Sequence, residues 1–223
     1  MPLVALATVG CTPTYAPPVR SPEFGAPGRT AEGDVTVGGA MVGLHAPAPA
    51  MGGPMIAYGV RDAWAVEGGA DLANSWRMGW AGVRYTHAPR RHSKHHLAVD
   101  VNAAGGGGVG GELRGNGDEG DGLSAFDRVA GGGLLGLGVA GHFSFFSVFA
   151  RGRGQVSTAT GVPVTGWWTA GGGVQFRIAE TLDLYAQSGP SGYVNRIESD
   201  WGVFTEFGVA VRIPTMGPWR RRR

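Results

Sequence analysis

Cysteine is almost absent from this sequence of 223 residues, which contains only Cys11. A single thiol excludes an intrachain disulfide, and it excludes any metal site built from several cysteines. Charge is also scarce, because charged residues make up 16% of the chain and the formal net charge is +2, although four arginines stand together at positions 220–223. A body this close to neutrality argues against a nucleic-acid partner.

The sequence also lacks zinc-finger spacing and the G-x-x-x-x-G-K-[ST] loop that holds nucleotide phosphates. The run NAAGGGGVGGEL (102–113) has no Lys-Ser/Thr pair, so we interpret its glycines as structural and predict no cofactor. Glycine itself is in excess, at 42 residues, without the three-residue period of collagen. Because glycine disfavours helices, this excess favours crowded strands and many turns.

Segments of strand length recur from Asp34 onward. In GGGVQFRIAETLDLYAQSG (171–189), apolar Val174 and Phe176 alternate with polar Gln175 and Arg177 before a short polar turn. A period of two indicates a strand with two different faces, and two such runs joined by a few residues form a hairpin. The pattern predicts about ten strands, near 34–46, 54–61, 63–72, 76–87, 96–105, 128–141, 147–157, 165–178, 182–190 and 201–213. The alternative is an eight-stranded barrel without the weak segments 34–46 and 96–105.

The predicted connections differ between the two ends of these strands. Tight turns fall at Arg61-Asp62, around 143–146 and at 179–181, and the basic segment HAPRRHSKHH is a longer connection on the same side. The connections APAPAMGG, GNGDEGDGLSAFD, STATGVPV and SGPSGYVNRIESD are longer and belong to the other end. Short turns at one end and longer loops at the other are typical of transmembrane β-barrels. We therefore predict an all-β, antiparallel, closed transmembrane barrel.

In a barrel embedded in lipid, the apolar face of each strand looks outward and the polar face lines the lumen. The alternation places these residues on the lipid side: Val66, Leu135, Val174, Phe176, Val209 and Val211. It places these charges in the lumen, where opposite signs can pair: Glu67, Asp100, Arg151, Arg153, Arg177, Glu206 and Arg212. Three outward tryptophans fall towards strand ends, where aromatic girdles lie: Trp64, Trp76 and Trp201.

The patterns MIAYGVRDAWAVEGGADL and GGGVQFRIAETLDLYAQSG resemble the small single-chain outer-membrane β-barrels of Gram-negative bacteria, over roughly Asp34 to Pro214. The chain departs from that group at its end, because PTMGPWRRRR follows the last strand where the group commonly closes on an aromatic residue. The resemblance implies insertion by the outer-membrane assembly machinery and contact with membrane lipid and lipopolysaccharide. We also predict a monomer. If Cys11 is acylated in the periplasmic leaflet, an even number of strands returns the chain to the same side, so we expect both the N- and the C-terminus to be periplasmic.

The N-terminus MPLVALATVGC resembles the end of a bacterial lipoprotein signal peptide. Gly10 and Cys11 fit that motif, whereas Thr8 stands where the family usually has leucine and no basic residue precedes the apolar run. The resemblance implies acylation of Cys11 as a lipid anchor. The predicted organisation is a signal-like segment over 1–11, a Pro-rich extended tether over 12–33, a barrel over 34–214 and a basic tail over 215–223.

For function, we predict a structural or surface role in the cell envelope, with a lumen plugged by paired charges. Barrels of eight to ten strands have little free interior, whereas larger ones leave an aqueous channel. The alternatives are a passive pore or small-molecule transporter, and a soluble, lipocalin-like ligand-binding barrel. We do not expect an enzyme, because no G-x-S-x-G motif occurs, although His45, Asp71 and Ser75 fall near the end where a rim-located hydrolase would place its residues.

Three segments invite other interpretations. The uncharged stretch Val129–Ala150 is long enough for a transmembrane helix, but its glycines and alternating neighbours favour a hairpin. Four histidines suggest a metal site: His87, His92, His95 and His96. Arginines and a lysine lie among them, and their positive charge would repel a divalent cation. A calcium loop is suggested by acidic and amide residues that lack the spacing of an EF-hand: Asn116, Asp118, Asp121 and Asp127. We predict no metal at either place.

Overall fold

Ten β-strands make up most of the computed structural model, which describes residues 15–20, 25–44, 51–73, 76–89, 95–110 and 128–214. Alternating sequences form these strands because each strand separates two different environments. The strands are β1 (Val35–Leu44), β2 (Met51–Arg61), β3 (Trp64–Leu72), β4 (Trp76–His87), β5 (His96–Gly110), β6 (Arg128–His142), β7 (Phe146–Ala159), β8 (Val162–Ala179), β9 (Leu182–Val194) and β10 (Ser199–Ile213).

Each strand pairs in antiparallel fashion with its neighbours in the chain, and β1 pairs with β10, so the sheet closes into a barrel. Closure removes the unpaired edges that an open sheet would expose. The predicted all-β, antiparallel, closed barrel is confirmed, with ten strands rather than eight. The stretch Val129–Ala150 lies in β6, β7 and the turn between them, as the hairpin interpretation required. Among the described residues, no helix is long and apolar enough to cross a membrane.

The connections define two ends of the barrel. The turn end includes the connections 62–63, 143–145 and 180–181, and the loop end has the connections 45–50, 73–75, 111–127, 160–161 and 195–198. The expectation of a longer loop at STATGVPV is wrong, because β7 continues to Ala159 and β8 begins at Val162. Gly161 has a φ of 75°, a left-handed conformation that glycine adopts without a steric penalty, and this permits the tight turn.

The outer face of the wall is apolar. Leu135 is 67% exposed and Trp201 is 70% exposed, and both point away from the barrel. The other residues predicted on this face are also exposed, fully or in part: Val66, Val174, Phe176, Val209 and Val211. The period of two therefore sorts side chains between the outside and the lumen as the sequence indicates.

Trp76 is a correction to the predicted outward set. Its side chain is only 5% exposed and packs in the lumen with Met78 and Ala130. The alternation along β4 explains this position, because even-numbered residues of this strand face the lumen. Trp76 and Arg84 are both even-numbered and buried inside, whereas odd-numbered Arg77 is exposed outside. Trp64 and Trp201 are exposed on the outer face, as predicted.

Residues 15–20 and 25–34 are here called the inner segment, and all of them except exposed Ala31 and Glu32 are buried or partly buried. Near the loop end, the ring of Tyr15 lies 5.4 Å from that of Trp167, measured between centroids. Near the turn end, His142 Nε2 lies 2.6 Å from the Pro27 carbonyl oxygen. The inner segment therefore runs through the barrel from the loop end to the turn end, where it continues into β1.

The prediction of an extended tether over 12–33 does not hold for the described part of that range. Val19 belongs to a buried cluster formed with wall residues Ala40, Met55, Trp80, Leu134, Tyr185 and Ala210. The apolar core of the protein is thus formed between the inner segment and the wall. A segment without strand periodicity packs there because the wall supplies partners for its backbone.

Candidate functional site: the occupied lumen

The lumen wall is unusually polar. Its buried polar and charged residues come from most strands: Glu67, Asp71, Arg84, Asp100, Asn102, Arg151, Arg153, Gln155, Ser157, Thr165, Gln187 and Glu206. Buried polar groups need hydrogen-bond or ionic partners, because their desolvation is otherwise uncompensated. The inner segment supplies many of these partners.

Arg20 of the inner segment occupies the centre of this polar network. Its side chain is only 1% exposed, and Nη1 donates to Glu67 Oε2 at 3.2 Å. The other oxygen of Glu67 lies 3.2 Å from Arg84 Nε, so one carboxylate pairs with two guanidinium groups. Arg20 also lies 4.1 Å from the centroid of the Trp80 ring, which provides a cation–π contact. The sequence prediction included Glu67 but neither arginine.

The wall binds the backbone of the inner segment near the loop end. Thr165 Oγ1 accepts a hydrogen bond from Ala16 N at 3.0 Å. The carbonyl oxygen of Ala16 accepts hydrogen bonds from Trp167 Nε1 at 2.9 Å and from Ser157 Oγ at 3.3 Å. Both backbone polar groups of Ala16 are thus satisfied by side chains of β7 and β8.

Gln155 binds the next backbone groups of the inner segment with both ends of its amide. Its Oε1 accepts from Val19 N at 3.0 Å and from Arg20 N at 3.2 Å, and its Nε2 donates to the Arg20 carbonyl at 3.0 Å. Further along, Gln175 Oε1 accepts from Ala26 N at 2.7 Å. Two wall glutamines therefore satisfy four backbone groups.

Near the turn end, contacts to backbone and side chain are mixed. His142 Nε2 donates to the Pro27 carbonyl, so this nitrogen carries a hydrogen, and Nδ1 lies 2.7 Å from Ser147 Oγ. Arg84 Nη2 donates to Thr30 Oγ1 at 3.1 Å, so Arg84 binds both Glu67 and the inner segment. The inner segment is fixed at both ends of the lumen.

Glycines on the inner face of the wall make room for this segment. A Cβ added to Gly132 would lie 2.8 Å from Val19 Cγ2, and one added to Gly138 would lie 2.7 Å from Pro27 Cγ. Real Cβ atoms essentially never approach heavy atoms so closely, so a side chain at either position requires a shift of the inner segment or the wall. Part of the glycine excess is explained by this close approach.

The remaining predicted lumen charges fall into separate groups. Arg151 Nη2 donates to Asp100 Oδ2 at 2.9 Å, and Glu206 accepts from Gln187 Nε2 at 2.6 Å. Arg153 is buried in the lumen. Arg177 and Arg212 are more exposed and flank Asp183 at the turn end, at 3.6 Å and 3.8 Å. The predicted set of lumen charges did not include Asp183, although its alternation with outward Leu184 along β9 places it on the inner face.

An aromatic cluster lies at the loop end of the lumen. Tyr15 contacts Trp167 and Tyr193, and the hydroxyl of Tyr193 donates to Glu198 Oε1 at 2.7 Å. Burial raises the pKa of the Tyr15 hydroxyl, and the negative charge of Glu198 raises it further.

The other predicted positions form no site in the described part of the chain. Asp71 is buried in the wall, whereas His45, Ser75, His92, Cys11 and the acidic residues 116–127 lie outside the described residues. His96 stacks on His142 and His95 contacts Phe143. The described residues contain no group of three or more His, Cys, Asp or Glu suited to a metal ion.

Comparison with known proteins gives a likeness of fold. No protein-family model and no curated protein matches the chain. The chain is similar to the N-terminal β-barrel domain of OprF from Pseudomonas aeruginosa, at 10% identity and a TM-score of 0.41 over 82% of this chain and 100% of that one. It is also similar to the outer-membrane protease OmpT from Escherichia coli, at 7% identity and a TM-score of 0.40 over 82% of this chain and 94% of that one. For the KdgM porin, the identity is 7% and the TM-score is 0.41, over 79% of this chain and 98% of that one.

Proposed function

We propose that this chain is an outer-membrane β-barrel of a Gram-negative bacterium, with a structural or surface role and a lumen kept closed by its own inner segment. The observation that carries the proposal is the occupied lumen, in which Arg20 is buried between Glu67 and Trp80. A ten-stranded wall leaves little space once side chains and a second length of chain fill it. The role is therefore that of a closed barrel rather than an open channel.

The distribution of side chains supports a location in lipid. The interior carries ion pairs and amide hydrogen bonds, while large apolar side chains are exposed over the whole outer face. This arrangement is the reverse of that in a soluble lipocalin-like barrel, whose apolar side chains face the interior. In water, the barrel described here would expose an apolar surface far larger than soluble proteins tolerate. In a membrane the same surface meets acyl chains, and the closed sheet satisfies every strand backbone group.

Outward aromatic residues support the same location. One group lies towards the turn end: Tyr58, Trp64, Tyr85, Phe143, Phe145 and Phe176. Another lies towards the loop end: Trp168 and Trp201. Two aromatic girdles flanking an apolar band about 25 Å tall are typical of outer-membrane barrels. We accordingly propose contacts with membrane lipid and lipopolysaccharide, and insertion by the outer-membrane assembly machinery.

The passive pore is the second candidate, and one observation favours it. Without the inner segment, the wall would present polar Gln155, Thr165 and Asn102 together with charged side chains to an empty lumen. Such a wall suits water and solutes. The two candidates differ in whether the inner segment stays in place in the membrane.

Conductance distinguishes the two candidates. We expect the wild-type protein to show no steady single-channel current in a planar bilayer, and the Arg20→Glu variant to conduct. The substitution replaces the cation that pairs with Glu67 by a second carboxylate, and the repulsion between two buried like charges is expected to displace the inner segment. The matched control is Arg196→Glu, which makes the same charge change in the exposed connection before β10 and should stay closed. A steady wild-type current equal to that of Arg20→Glu would establish the passive pore instead.

The direction of the inner segment yields a revised topology. Tyr15 lies at the loop end, whereas Pro214 follows β10 at the turn end. With the loops outside the cell, we expect a tag inserted after Thr14 to be labelled on intact cells and a tag after Arg223 to be labelled only after permeabilisation. In place of two periplasmic termini, we therefore propose that Tyr15 and Pro214 lie on opposite sides of the membrane. Labelling of both tags, or of neither, on intact cells would contradict this topology. Acylation of Cys11 stays a prediction.

A further inference from the structure

The wall binds the inner segment mainly through hydrogen bonds to the backbone of that segment. Side chains of Thr165, Ser157, Trp167, Gln155 and Gln175 bind backbone groups of residues 16–26. Backbone amides and carbonyls are common to all polypeptides, so these contacts specify an extended chain and its direction rather than its side chains. The same wall groups would need other partners if the inner segment were absent.

Every backbone N–H group of residues 16–20 has an acceptor on the wall. The N–H groups of Ala16, Val19 and Arg20 each have a wall acceptor. Pro17 and Pro18, which lie between them, have no N–H group and need none. Proline also favours the extended conformation that the narrow lumen requires. The segment APPVR and the wall are thus complementary at each backbone donor.

Two side chains add sequence preference to this backbone site. Arg20 enters a pocket formed by Glu67, Trp80 and Met55, with Nη2 3.9 Å from the methionine sulfur. Val19 packs over Gly132, where a larger wall residue would collide with it. A ligand for this site is therefore an extended, proline-containing peptide with an arginine that follows a small apolar residue.

We propose that the lumen is a binding site for an extended arginine-containing polypeptide, occupied in cis by the inner segment and able to bind the same sequence in trans. This inference rests on the proposed closed barrel. The tethered segment has an effective concentration of about millimolar or more, so a free peptide competes only when the tethered copy is weakened. Arg20→Glu weakens the tethered copy and leaves the wall unchanged.

The test uses the full-length Arg20→Glu protein in detergent micelles and a fluorescent synthetic peptide with the wild-type sequence of residues 15–34. We expect a saturable rise in fluorescence anisotropy with Arg20→Glu and at least a tenfold weaker response with wild-type protein, whose site is occupied. A peptide carrying Glu in place of Arg20 should bind Arg20→Glu protein at least tenfold more weakly than the wild-type peptide. Adding Gln155→Ala to Arg20→Glu removes three backbone hydrogen bonds and should also reduce affinity at least tenfold.

Two outcomes separate this inference from the proposed function. If Arg20→Glu conducts in bilayers but its anisotropy does not change with peptide, the trans site is disproved and the closed barrel stands. If wild-type and Arg20→Glu proteins bind the peptide equally, the inner segment does not occupy the site and both proposals fail. Heat-modifiable electrophoretic mobility reports folding, and Arg20→Ala replaces Arg20→Glu in the same measurements if the latter does not fold.

Discussion

Replacing Glu67 with glutamine is expected to destabilise the folded barrel by about 3–5 kcal/mol, the usual effect of removing one partner from a buried ion pair. Glu67 faces Arg20 and Arg84, both at 3.2 Å and all three nearly inaccessible to solvent. The variant leaves two guanidinium groups in the lumen without this carboxylate. Urea unfolding in phospholipid vesicles, followed by tryptophan fluorescence, measures the loss as a lower transition midpoint.

Two comparisons make this result specific. Glu180→Gln removes the same charge from an exposed turn and should change the free energy of unfolding by no more than about 0.5 kcal/mol. Combining Glu67→Gln with Arg20→Gln should cost less than the sum of the single effects, because the two side chains are in direct contact. Equal losses for Glu67→Gln and Glu180→Gln would show that the ion pairs at Glu67 do not hold the fold.

The sequence predicted the strands well because each one carries its two environments in its own alternation. In β3, exposed Trp64 and Val66 alternate with buried Ala65 and Glu67, so the pattern alone assigns the faces. The face of Trp76 was predicted wrongly because its residue type was used in place of the alternation along β4. A tryptophan is compatible with a lipid interface and with a packed lumen, and only the parity of the later residue Arg84 distinguishes them.

The ion pairs were less predictable than the faces. Asp100 lies in β5 and Arg151 in β7, with β6 between them, and each was predicted to face the lumen. Their pairing depends on the stagger of three strands, which no local pattern encodes. Arg177 and Arg212 lie on the inner face of their strands by alternation. Their positions near the ends of β8 and β10, however, place them at the turn end beside Asp183. Alternation predicts a face and leaves depth undetermined.

The inner segment escaped prediction because it has no periodicity. A Pro-rich stretch without alternation fits a solvated tether as well as a chain held by side chains of a surrounding wall. Its partners are distant in sequence, for example 47 residues away for Arg20 and Glu67 and 136 residues away for Val19 and Gln155. The available signal was the small size of inward residues such as Gly132 and Gly138, because a ten-stranded wall lined by glycine needs something else to fill its lumen.

The outer face provides a direct test of membrane embedding, because neighbouring residues of β6 meet opposite environments. Leu134 is buried in the lumen cluster with Val19, whereas Leu135 is 67% exposed at the middle of the strand. Val129 is also exposed on the outer face, but it lies at the loop-end start of β6. A lipid environment makes depth along this strand matter, and a water environment does not.

Leu135→Arg is expected to destabilise the barrel by about 2–4 kcal/mol in phospholipid vesicles, because a charge on the lipid face is most unfavourable at the bilayer midplane. Val129→Arg introduces the same charge near the interface and should cost about 0–1 kcal/mol. Urea unfolding of the two variants and the wild type in the same vesicles gives the comparison. Both side chains are exposed, so a soluble barrel would accept arginine at either position with little change. Equal and small effects would therefore support the soluble alternative, whereas a difference that depends on depth requires that the apolar band of this barrel is solvated by lipid.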